Sequence, residues 1–139
     1  MLPLKESALL PPVSAYVRRL GYRFQVQELG FYEYRIDIYG FSSGKNSTVA
    51  IELKLHKWQR AVQQALIYQL CSDFVFIAMP FRAIRSVDRA LLEGHGIGLL
   101  AIDDALRCRQ ILNARRSVEV RDHYRERFIE LLSKGDACR

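Results

Sequence analysis

The chain has 139 residues, half of them apolar and 26% charged, with a formal net charge of +6. That length suits one domain, residues 1–139, around one core, and no apolar run is long enough to span a bilayer. The excess of positive charge leans toward a polyanionic partner. The start of the chain lacks a basic segment followed by an apolar one, so no secretory signal is expected and the cytoplasm is the expected location. Cys71, Cys108 and Cys138 are far apart and have neither zinc-site nor disulfide-framework spacing. Cys71, in an apolar helical stretch, is expected in the core.

A first helix is expected within residues 4–20. Pro11 and Pro12 lack the amide donor, so the helix either starts there or is kinked there. Val13, Val17 and Leu20 share one helical face, and Gly21 stops it. Apolar and polar residues roughly alternate over residues 22–29, as in a half-buried strand, and Gly30 marks a turn or bulge. A second strand is expected over 32–41, a turn over 42–47 by its Ser/Gly/Asn composition, and a third strand over 48–55.

The clearest helix spans 58–70, with Trp58, Ala61, Val62, Ala65, Leu66 and Gln69 at helical spacing. The apolar run 74–79, ended by Pro80, predicts a strand buried on both faces, and 98–102 predicts another. Helices are expected over 84–93 and 118–132, whereas 107–116 is ambiguous. Hairpins early in the chain and a helix between two later strands predict an α/β fold with a mixed sheet flanked by helices.

If the chain reverses symmetrically at Gly44-Lys45, Asp37 faces Glu52, with Cβ atoms roughly 5 Å apart. Alternation then puts Ile36, Ile38, Val49, Ile51 and Leu53 on one face. Arg35, Asp37, Ala50, Glu52 and Lys54 fall on the other. Opposed carboxylates repel, unless a divalent cation sits between them. Mg²⁺ takes oxygen ligands, commonly one or two carboxylates with waters and phosphate. Lys54, on the same face, can hold an attacking water or neutralise charge developing on a phosphate. The same pattern also suits an exposed salt-bridged face in which Arg35 and Lys54 neutralise the two acids. In the following helix, Lys57, Arg60, Gln64 and Tyr68 form a polar stripe whose last two members can hydrogen-bond Lys54 or a phosphate.

Asp37, then Ile51-Glu52-Leu53-Lys54, then Gln64-x-x-x-Tyr68, resembles the PD-(D/E)XK nuclease superfamily, over somewhat more than half the chain. The resemblance implies a restriction-endonuclease-like fold: a helix, a three-stranded antiparallel meander, a helix and a parallel strand. It implies a DNA-cleaving phosphodiesterase that uses Mg²⁺, with Mn²⁺ as a substitute. Asp37, Glu52 and the Leu53 carbonyl would hold the metal, Lys54 would be catalytic, and Gln64 and Tyr68 would support the site. Glu6 resembles the first-helix acid that completes the metal's water shell in many members, with Glu28 and Glu33 as alternatives. Ile36 stands where the motif often has proline. A nucleic-acid-binding or assembly module of the same fold with little catalysis is the competing expectation. A homodimer is compatible, since cutting both strands needs two sites. Arg82, Arg85, Arg89, Arg115, Arg116, Arg121 and Arg125 are candidates for phosphate contacts or for a plain solvated surface.

Overall fold

Pro11 and Pro12 fall in the first turn of helix α1 (Leu10–Arg19), where their missing amide donors have no helical partner to lose. A short 3-10 turn, Glu6–Leu9, leads into α1, so the helix starts at the prolines and is not kinked by them. The structure is a computed structural model and describes residues 4–137.

Six strands follow: β1 (Phe24–Phe31), β2 (Tyr34–Ser42), β3 (Ser47–Leu53), β4 (Phe74–Pro80), β5 (Gly98–Ile102) and β6 (Cys108–Leu112). They form one mixed sheet in the order β1-β2-β3-β4-β5-β6. The first three strands are an antiparallel meander. β4 runs parallel to β3 and β5 parallel to β4, and β6 closes the far edge antiparallel. Helix α2 (Trp58–Tyr68) makes the crossover from β3 to β4, and α3 (Arg89–His95) lies before β5.

Helices cover both faces. Val13 and Val17 of α1 pack with Ile38, Val49, Ile51 and Leu53 on one side. On the other, Ala61, Ala65 and Tyr68 of α2, with Phe128 and Leu132 of α4 (Asp122–Ala137), pack with Tyr39, Ala50 and Ile77. Cys71 and Cys108 are free and buried, Cys71 in the core as expected, while Cys138 lies outside the described residues. Among the described residues no helix is long and apolar enough to cross a membrane.

Several expectations change. The first hairpin turns at residues 32–33, beyond Gly30. Tyr32 itself takes the left-handed conformation, φ +55°, leaving Gly30 within the strand. The helix expected over 84–93 is a 3-10 turn, Phe81–Ser86, followed by α3. Asp88 separates them, its side chain accepting the Leu91 amide at 3.1 Å. The last helix starts at Asp122, and Val118 is 93% exposed. The ambiguous 107–116 segment contributes edge strand β6, whose exposed Arg109 and Gln110 hide its strand character.

Candidate active site

The β2–β3 register is the one that symmetric reversal predicts, with Ile38 opposite Ile51, Tyr39 opposite Ala50 and Ser42 opposite Ser47. The ladder ends at Ile38–Ile51, so Asp37 and Glu52 are the next pair along. Between β1 and β2 the ladder passes from Gln27–Ile38 to Leu29–Ile36 and skips Glu28 and Asp37. Glu28 is left-handed there, φ +53°. Ile36 and Ile38 also pack into different cores, so strand alternation breaks at Asp37. Freed from the ladder, the Asp37 carboxylate accepts the Leu53 amide at 2.8 Å. The N–H and C=O of one extended residue point the same way, so the Leu53 carbonyl also faces the Asp37 side.

The expectation of an exposed charged face is corrected. Every residue of β3 is buried, because β3 is a central strand with helices on both sides. Glu52 is only 4% exposed and points into the layer beneath α2. There the Tyr68 hydroxyl donates to its Oε1 at 3.0 Å, and also reaches the Arg35 carbonyl at 3.2 Å. Tyr68, expected to hydrogen-bond Lys54 or a phosphate, is instead fully buried as the partner of Glu52. Lys54 Nζ lies 3.7 Å from Glu52 Oε2 and donates to Gln64 Oε1 at 3.5 Å. Arg35 pairs with Glu28 at 3.7 Å and is largely exposed, so it does not neutralise the two central acids.

Burial pushes the Glu52 carboxyl up to about 8, and the Asp37 charge adds to that, against the opposing pull of the Tyr68 hydrogen bond and Lys54. Burial also raises Asp37, opposed by the Leu53 amide, with Glu6 and Glu28 raising it further. Burial raises the Tyr68 phenol, reinforced by the neighbouring Glu52 charge. The arrangement therefore disfavours full ionisation unless a cation enters.

A cleft of about 300 Å³ opens beside Asp37, lined by Glu6, Ser7, Leu10, Gln27, Glu28, Asp37 and Leu53; buried Glu52 and Tyr68, with Lys54 and Gln64, are not in its lining. Glu6 thus stands beside Asp37, and Glu28 shares the cleft. Glu33, the other alternative acid, lies in the hairpin turn and is not in the lining of this cleft. Among the described residues no group of three or more His, Cys, Asp or Glu side chains is gathered closely enough to hold a metal by themselves. The available donors are two carboxylates, a strand carbonyl and open space for water, all oxygen. That set fits a hard cation that keeps part of its hydration.

The arginines divide. Arg125 and Arg116 pair with buried Asp73, Arg82 pairs with Asp104, and Arg115 binds the Glu93 and Gly94 carbonyls at the end of α3. Arg85, Arg89 and Arg121 are exposed. Asp73 went unnoticed in the sequence. It also accepts the Thr48 amide and hydroxyl, at 2.9 and 3.1 Å, and so ties the start of β3 to α4. A lone carboxylate just before a doubly buried strand was the available signal.

No family model matches the chain, and no curated protein matches it. Among solved structures, it is similar to a protein of unknown function from Silicibacter pomeroyi, at 22% identity and a TM-score of 0.72. The match covers 98% of this chain and 89% of that one. That likeness concerns the fold: an α/β domain with a six-stranded mixed sheet between helices.

Proposed function

We propose that the chain is a Mg²⁺-dependent nuclease that hydrolyses DNA phosphodiester bonds on a restriction-endonuclease-like core. The observation that carries this reading is a buried Glu52 carboxylate, held by Tyr68 and Lys54, next in register to Asp37 at the floor of an open acidic cleft. A buried acid next to a second acid is costly in a purely structural role. It is well suited to hold a hard cation.

Asp37 and Glu52 supply the anionic oxygens for Mg²⁺, with the Leu53 carbonyl as a third protein oxygen. Held there, Mg²⁺ would supply Lewis-acid chemistry toward a phosphate and water. Lys54 donates hydrogen bonds to the attacking water or to the charge growing on the phosphate. Gln64 orients Lys54, and Tyr68 fixes the rotamer of Glu52. Glu6 accepts hydrogen bonds from waters in the cleft. A homodimer would let two such sites act on the two strands of a duplex.

Incubating the protein with single-stranded, double-stranded and branched DNA plus Mg²⁺ or Mn²⁺ tests this. Cleavage that Asp37→Ala abolishes is expected, together with calorimetric Mn²⁺ binding that the same variant loses. No cleavage of any substrate, or equal cleavage by Asp37→Ala, rejects it. Salt-dependent DNA binding without turnover or metal binding would point to the assembly module.

A further inference from the structure

β3 and β4 pair from Val49–Phe74 at one end to Leu53–Ala78 at the other. Three residue steps of strand put the Val49 end about 10 Å from the site around Asp37 and Glu52. There α1 has ended, and Leu20 and Phe74 keep part of their surface exposed while Val49 and Phe76 stay buried. The result is an open cavity of about 570 Å³ with Val49, Phe74 and Phe76 in its lining. Small-molecule sites commonly measure roughly 300–1,000 Å³. Gly98 keeps the Phe76 ring in place, since a Cβ there would come within 2.4 Å of it.

Two cations line the same cavity, Lys45 and Arg116, whereas the guanidinium of Arg115, also in the lining, is turned to the end of α3. Each is held in position. Lys45 Nζ donates to the Leu20 carbonyl at 2.6 Å and lies 5.6 Å from the Tyr22 ring centre. Arg116 lies 5.0 Å from the centre of the Phe74 ring and 3.4 Å from Asp73. Carbonyl partners orient a cation without neutralising it. Asp73 is buried and shared with Arg125, so it cannot cancel the cluster. Among the described residues the lining contains no carboxylate. An aromatic, apolar floor under fixed positive charges suits an anion with a flat apolar body.

We propose that this cavity binds a nucleotide, its base against the apolar lining at Phe74 and Phe76 and its phosphate between Lys45 and Arg116. The phosphorylated base can come from a free nucleotide or from a unit of a DNA strand. The site shares no residue with the nuclease reading and stands without it.

Calorimetry on the full chain in EDTA tests it, with adenosine monophosphate, inorganic phosphate and a short single-stranded oligonucleotide as probes. Adenosine monophosphate should bind at least about tenfold more tightly than phosphate, because only it uses the apolar floor. Replacing both Lys45 and Arg116 with Gln should weaken it roughly tenfold or more. Ala114→Trp keeps every charge and fills the cavity, so it should abolish binding. Asn113→Trp, at the exposed rim, serves if the first variant does not fold. An oligonucleotide that binds more tightly than the mononucleotide, and loses that advantage in the Trp variant, identifies a DNA strand as the source. Equal or tighter mononucleotide binding identifies the free nucleotide. The proposal is overturned if neither adenosine monophosphate nor the oligonucleotide binds at millimolar concentration, if phosphate and mononucleotide bind equally, or if the folded Trp variant binds like wild type.

Discussion

Replacing Glu52 by Gln should make the metal-free protein more stable at pH 8 and leave it almost unchanged at pH 5. Burial and Asp37 raise the folded-state carboxyl from its ordinary 4.5 to about 8. Below pH 4.5 the group is protonated in both the folded and the unfolded chain and contributes no difference. As pH rises toward 8, the unfolded chain ionises freely while the folded one holds its proton. The folded state binds more protons throughout this window, so stability falls with rising pH. Each pH unit costs about 1.4 kcal/mol, which over the whole window amounts to a loss on the order of 4 kcal/mol. Gln cannot ionise, yet its carbonyl still accepts the Tyr68 hydroxyl, so the variant keeps the local bond and loses the pH slope. Thermal melts in EDTA from pH 5 to 8.5 measure this, at roughly 3–5 °C per kcal/mol for a chain of this size. Millimolar Mn²⁺ should then stabilise wild type far more than the variant at pH 8. Parallel pH profiles for the two proteins would refute the account of Glu52 as a carboxylate held short of ionisation.

Lys54→Met should cut DNA cleavage by about 10²–10³-fold. It should leave Mn²⁺ affinity equal or tighter, since a competing cation beside Glu52 is gone; calorimetry and a cleavage assay separate the two effects. Tyr68→Phe should weaken Mn²⁺ binding by about 10–100-fold, as expected when the group orienting a ligand is lost, with circular dichroism confirming the fold. Asp73→Ala leaves Arg125 and the Thr48 amide without their buried acceptor and should cost about 3 kcal/mol in urea unfolding, without changing metal affinity in the protein that remains folded. Gly98→Ala should destabilise by about 1–3 kcal/mol, because the added methyl collides with the Phe76 ring and the Ala114 amide.

Much of the fold was legible because local rules and tertiary packing agree. The run of residues 74–79 reads as a doubly buried strand and is one. The stripe of Ala61, Val62 and Ala65 reads as the buried face of a helix and is one. Residues 107–116 were not legible, because an edge strand exposes one side and half its pattern is polar. The 84–93 segment misled because its apolar spacing continues through Asp88, whose side chain caps a new helix.

The candidate site divides the same way. Spacing around Gly44-Lys45 determined the β2–β3 register, because a symmetric turn and period-two side chains leave few ways to pair the strands. That brought Asp37 and Glu52 to adjacent positions on neighbouring strands. Only the tertiary structure decided that Glu52 is buried, that Tyr68 is its partner, and that the break at Glu28 turns Asp37 onto the Leu53 amide. Burial depends on which helices cover a strand from the far side. Those helices come from distant segments of the chain whose docking no local spacing encodes.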